Sequence, residues 1–157
     1  MDSRLIQRAV LIYLTIAGLL VGVWATFAPR SFYADFPGLG RVWVSVDGPY
    51  NEHLVRDVGQ LNLALALVTL AAAVTMQSTI VRVAGGAVVL NAVPHLIYHL
   101  RHLGKYTIGD KVGNVLSLGL LVALPIIVLV LNSRDSLSQV SAGVRQNGRR
   151  SEHERNI

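Results

Sequence analysis

The chain has 157 residues, no cysteine, 52% hydrophobic and only 15% charged side chains, and a formal net charge of +5. That length allows one domain, and a charged fraction well below the roughly one quarter of soluble domains points to lipid as the main solvent. Without cysteine there are no disulfides, thiolate metal centres or cysteine nucleophiles, and no GxSxG, phosphate-loop or dinucleotide pattern supports a soluble hydrolase or nucleotide enzyme.

In chain order, the first apolar run, 9–28, reads AVLIYLTIAGLLVGVWATFA and carries no charge. About twenty such residues, each rising about 1.5 Å, span a hydrocarbon core of about 30 Å. Arg4 and Arg8 precede it, as in a signal peptide. The run is longer than a typical signal core and no small-x-small cleavage site follows cleanly, so a retained helix is expected. Pro29 ends the run, and a Pro-, Gly- and aromatic-rich segment follows. Phe32, Tyr33, Phe36, Trp43 and Tyr50 suit a loop at the membrane–water interface, with RVWVSV as a short extended piece.

Gly48 and Pro49 make a turn and Asn51 an N-cap for a second helix over 52–76. The link QST leads to a third helix over 80–102, in which Gly85 and Gly86 allow close helix approach and Pro94 can kink the axis. After the polar loop LGKYTIGDKVG comes a fourth, almost wholly apolar helix over 114–131. The remaining 133–157 segment is rich in Ser, Arg and Glu with no apolar period, and reads as a basic, disordered cytoplasmic tail. Arg145, Arg149, Arg150 and Arg155 in that tail suit anionic lipid; without interleaved aromatics or a folded reader, nucleic acid is not expected as a partner.

The expected fold is therefore all-α: an integral membrane four-helix bundle over 1–132, multi-pass in the plasma membrane. Of the 14 Lys and Arg residues, Arg4, Arg8, Arg82, Arg134 and the four tail arginines lie on the terminal side, which favours N-in/C-in. Membrane lipid is the obvious partner, with a homo-oligomer or larger membrane complex as further possibilities.

The chemistry-bearing residues form two stripes. Asn91, His95, His99 and His102 are spaced four, four and three apart in the third helix. His53, Asp57 and Gln60 are spaced four and three apart in the second. Residues three and four apart share a helix face. A short link makes the two helices antiparallel, which sets Asp57 level with His99 near the outer face. Ionisable groups at such depths are unfavourable by a few kcal/mol and usually face the bundle interior, pair together and mark function.

Four readings follow. Histidines at i and i+4 with a neighbouring carboxylate can grip a transition metal such as zinc, iron or copper. A histidine on each of two helices can ligate haem. His99 polarised by Asp57 can relay protons or meet a quinone headgroup. Alternatively, an Asp57–His99 hydrogen bond only fixes helix register in a non-catalytic subunit. His153, in the tail, reads as solvated.

The order of an apolar helix, an APRSFY-type loop, GPYNEHLVRDVGQLNLALA and NAVPHLIYHL resembles a group of small actinobacterial four-helix membrane proteins, loosely similar to the DoxX-like proteins. The likeness spans most of residues 5–132, its specific parts being PYNEHLVRDVGQ and VPHLIYH. It implies fold and membrane location, transfers no activity, and highlights His53, Asp57, His95 and His99.

Overall fold

The computed structural model describes the backbone from residue 2 to residue 155 and the side chains of residues 2–137. Its helices are α1 (Ser3–Phe27), α2 (Pro29–Asp35), α3 (Glu52–Thr75), α4 (Ser78–Arg101) and α5 (Ile108–Arg155), with a 3-10 turn at Leu103–Lys105. Four of these, all but α2, are long and apolar enough to cross a membrane.

Local chemistry sets the element ends. The Asp2 side chain accepts from the Arg4 amide at 3.0 Å, and Asn51 caps α3 by accepting from the Leu54 amide at 3.2 Å. Pro29 opens α2, where its missing N–H costs nothing. α3 stops at Met76, whose left-handed φ of 50° turns the chain through Gln77 into α4. Pro94 and Pro125 lie inside continuous helices. α5 continues beyond the fourth apolar run; the expectation for the 133–157 tail falls mainly on residues whose side chains lie outside the described ones.

Between α2 and α3, a two-residue antiparallel pair, β1 (Pro37–Gly38) and β2 (Arg41–Val42), sets Pro37 opposite Val42. Its turn holds Gly38, Leu39 and Gly40 at φ of 96°, 58° and 71°, a region glycine enters without strain.

The bundle is two helix pairs. α1 packs most extensively on α3 and α4 on α5, while α3–α4 and α1–α5 touch less. The pairs meet toward the end that carries the chain termini, in a core of Leu11, Ala72, Ala73, Met76, Val81, Ala84 and Val128. A second core, at the loop end, joins Ala25, Phe32 and Val55 to Trp24, Phe36 and Val44. It belongs to α1, α2, α3 and their loop; α4 and α5 contribute nothing to it.

Small residues set the α1–α3 contact. A Cβ on Gly22 would lie 2.8 Å from Leu63, and one on Gly59 would lie 2.6 Å from the Thr26 amide nitrogen. Deeper in the pair, the Thr15 hydroxyl donates to Thr69 at 2.9 Å. Of the two glycines expected to bring helices together, Gly85 packs under Leu129, whereas Gly86 has open space beside it.

Polar side chains lace the terminal end. Ser3 and Gln7 of α1 donate to the Asp135 carboxylate of α5 at 2.9 and 2.8 Å. Asn132 donates to the Ser78 carbonyl at 3.2 Å, and the Ser78 and Ser136 hydroxyls lie 3.0 Å apart. Gln7 is buried, so its amide is desolvated and depends on this partner.

Candidate functional site

α4 carries one core-facing stripe from end to end. Val81, Ala84, Val88 and Ala92 are buried along it, and the next positions at the same spacing are His95 and His99. There the stripe emerges: His95 is exposed and His99 half-buried. The same face passes from dry core to an opening because the α4–α5 pair takes no part in the second core.

The two imidazoles stack with centroids 4.8 Å apart and planes 12° from parallel. Tyr98 lies edge-on to His99 at 5.6 Å and Tyr106 at 6.2 Å. Asn91 is half-buried one turn deeper. His102 is engaged differently, with Nδ1 2.7 Å from the Tyr98 carbonyl oxygen and its ring stacked on Tyr98 at 4.2 Å. That makes it a helix-end group.

The loop between β2 and α3 supplies the missing carboxylate. Asp47 is linked to His99 through Tyr106, whose ring lies 6.2 Å from the His99 ring and whose hydroxyl bonds the carboxylate. The Tyr106 hydroxyl donates to Asp47 Oδ2 and to the Trp43 carbonyl, both at 3.0 Å, and Lys105 Nζ stands 3.6 Å from Asp47 Oδ1. Burial, and then the bond to Asp47, hold the Tyr106 phenol well above the ordinary tyrosine pKa.

The loop is fixed at its other end by Asp110, in the first turn of α5. Asp110 accepts from Arg41 at 2.6 Å, from Trp43 Nε1 at 2.9 Å and from Thr107 Oγ1 at 2.5 Å. Gly113 leaves room for the Trp43 ring, since a Cβ there would meet it at 2.9 Å. The loop thus bridges the two helix pairs where their cores separate.

Among the described residues, His99 Nδ1 and Asn114 Nδ2 are buried with no hydrogen-bond partner, whereas Asp47 Oδ1, also without a hydrogen bond, faces the Lys105 ammonium at 3.6 Å. Asn114 is only 2% exposed, on the core side of α5. The α4–α5 hairpin turns between Arg101 and Ile108, which brings Asn114 to about the depth of His95. A buried polar atom left unpaired costs about 1–3 kcal/mol, so the His99 and Asn114 nitrogens each call for a function or a ligand.

The α3 stripe goes elsewhere. His53 Nε2 pairs with Asp57 Oδ2 at 3.4 Å, on a face where His53 is 84% and Asp57 49% exposed, and Gln60 is exposed beside them. Val55, Gly59, Ala66 and Thr69 occupy the opposite side, packed toward α1. This rotation points the polar stripe outward. Among the described residues no hydrogen bond or ion pair joins it to His95 or His99, and no three His, Asp or Glu residues gather as a metal shell. The single site expected between the second and third helices therefore divides. His99 stacks on His95 and stands beside Tyr106 and, through it, Asp47, while His53, Asp57 and Gln60 lie on an outer surface.

Sequence reasoning missed Asp47, Tyr106 and Asn114. Asp47 precedes Gly48-Pro49 and reads as a turn former, and Tyr106 reads as an interfacial anchor. A carboxylate in a short loop between two interfacial aromatic groups is the one available signal.

The His95–His99 arrangement offers a nitrogen donor or acceptor beside a carboxylate, a phenol and an amide. It can bind a polar group, hold it in one orientation and exchange a proton with it. Compared with protein families, with curated proteins and with solved structures, the chain matches none.

Proposed function

We propose that this is a multi-pass plasma-membrane protein, N-in/C-in, whose activity centres on His95 and His99 with Asp47, open to the outer leaflet. The site receives the polar headgroup of a membrane-dissolved redox ligand of quinone type and exchanges protons with it. His99 is the group that bonds the ligand, Asp47 balances the charge of a protonated imidazole, and Asn114 donates to a ligand oxygen. One observation carries this reading. His99 Nδ1 is buried with no hydrogen-bond partner, beside Tyr106, whose hydroxyl holds Asp47. The resemblance to DoxX-like membrane proteins agrees with the location and adds no activity.

The test uses protein reconstituted in lipid nanodiscs with Trp24→Phe, leaving Trp43 beside the site as the reporter. Titration with a short-chain quinone is expected to quench Trp43 saturably, and His99→Ala and Asp47→Asn to weaken binding at least tenfold. Unsaturable quenching, or equal binding by both variants, would return the cluster to the role of a register-setting contact in a non-catalytic subunit.

A second reading rests on the near-parallel stacking of His95 and His99, which presents two ring edges one helical turn apart. Two imidazoles one turn apart are a donor pair suited to a divalent transition metal, although no third His, Asp or Glu among the described residues gathers with them to complete a shell. Metal analysis of protein equilibrated with zinc or copper and then desalted decides it: about one ion per chain, lost in His95→Ala, supports metal. Haem has less support, because the histidines come from one helix. An absorption spectrum of the purified protein tests it directly.

A further inference from the structure

At the junction of α1, α2 and α3 lies a small cleft of about 310 Å³, lined by Ala28, Pro29, Arg30, Ser31, Glu52 and Arg56. Ligand sites run from about 300 to 1,000 Å³, so this one suits a polar headgroup and not a whole cofactor. Its depth is that of the membrane–water boundary, because α1 ends here and α3 begins here, and both are long and apolar enough to cross a membrane. Trp24, Tyr33 and Tyr50 gather at the same level. The charged groups of the cleft are only partly satisfied. Arg56 gives Nε and Nη2 to Glu52 Oε1, at 3.0 and 2.9 Å, and Nη1 to the Thr26 carbonyl. A guanidinium has five N–H donors, so one on Nη1 and one on Nη2 stay without a partner among the described residues. Arg30 lies over the Tyr50 ring, 5.4 Å from its centroid, and makes no hydrogen bond or ion pair among the described residues. Glu52 Oε2 meets only the Tyr50 hydroxyl, at a long 3.4 Å. Ser31, by contrast, is engaged, accepting from Trp24 Nε1 at 3.2 Å and donating to Asp35 at 3.0 Å.

We infer that this cleft holds the zwitterionic headgroup of a phospholipid of phosphoethanolamine type, its phosphate on Arg30 and Arg56 and its ammonium on Glu52 Oε2. Two guanidiniums against one carboxylate leave the cleft one positive charge in excess, which the single negative charge of a phosphodiester balances. Guanidinium N–H groups also match phosphate oxygens in geometry. A primary ammonium can donate to the open carboxylate oxygen, which a quaternary ammonium cannot, and a glycerol headgroup brings no positive charge at all. Phe27, next to Ala28, is 74% exposed and offers the acyl chains an apolar surface. A free phosphate ion would share the arginine contacts but not the one to Glu52.

Native mass measurement in mild detergent, with single lipids titrated in, tests this. One phosphatidylethanolamine per chain is expected, bound at least tenfold tighter than phosphatidylcholine or phosphatidylglycerol with the same acyl chains. Arg30→Gln removes a side chain that makes no hydrogen bond to the fold, and it is expected to weaken that binding at least tenfold. Glu52→Gln is expected to abolish the preference for the ethanolamine over the glycerol headgroup. Equal affinity for the three lipids would overturn the inference. So would undiminished binding by Arg30→Gln, or an unchanged headgroup preference in Glu52→Gln. Inorganic phosphate at the lipid's concentration is expected to leave the lipid bound; displacement would assign the cleft to a free anion and refute a lipid site.

Discussion

Tyr106 shows how one side chain ties loop, helix end and site together. Its hydroxyl spans the Trp43 carbonyl and Asp47, and its ring lies against His99. Burial and Asp47 raise its pKa in the folded protein, while in the unfolded chain it stays near the usual tyrosine value of about 10. A raised folded pKa contributes stability that is complete below the unfolded pKa and is lost as pH climbs toward the folded one. Alkaline unfolding should therefore steepen above about pH 10, and less so in Tyr106→Phe. A wild-type minus Tyr106→Phe difference titration of tyrosinate absorbance should show this phenol ionising only above the ordinary range. Ionisation at an ordinary pH would mean that the bond to Asp47 does not persist in solution. None of this was legible beforehand, since a Tyr–Asp contact between residues 59 positions apart leaves no trace in local spacing.

Helices and their spans were largely legible, because length and hydropathy decide them directly. What spacing could not tell was rotation. The pattern His53, Asp57, Gln60 established that these residues share a face, but not which neighbour that face meets. The choice fell to Gly59, Ala66 and Thr69, whose small size gives α3 its closest fit on α1 and turns the polar stripe outward. On α4, His95 and His99 continue the face of Val81, Ala84, Val88 and Ala92, which is buried deeper in the bundle and emerges at His95, whereas His102 turns onto Tyr98. Glycine positions mark the same gap. Gly59→Ala would press a methyl group against the backbone of α1 and should destabilise the protein by about 2 kcal/mol, whereas Gly86→Ala, with open space beside it, should be nearly neutral. Thermal unfolding of the two variants in the same detergent checks the contrast, and equal losses would contradict the α1–α3 contact.

On the scale of the molecule, the two pairs share a core near the termini and separate toward the loops, where Trp43, Asp47 and Asp110 bridge them. In the proposed topology, this opening leaves His95 accessible from one side of the membrane only. In the proposed orientation, His95→Cys should react with a membrane-impermeant maleimide added outside intact cells. Ser133→Cys, exposed at the opposite end, should react only after the membrane is permeabilised. The reverse pattern would invert the topology, and labelling of both from one side would contradict four crossings.

The lacing of Ser3 and Gln7 to Asp135 also bears on how the protein is made. A ribosome delivers α1 first and residue 135 near the end of the described side chains, so Gln7 is made long before its partner exists. Until α5 arrives, the first helix presents an amide without its partner, of the kind that quality-control machinery can recognise as unfinished. The Asp135 contact is then expected to decide whether a truncated chain persists. Chains ending after residue 131 should be degraded rapidly in a pulse–chase experiment, and chains ending after residue 137 should persist. Gln7→Leu should extend the lifetime of the shorter form, because the mark of incompleteness is gone.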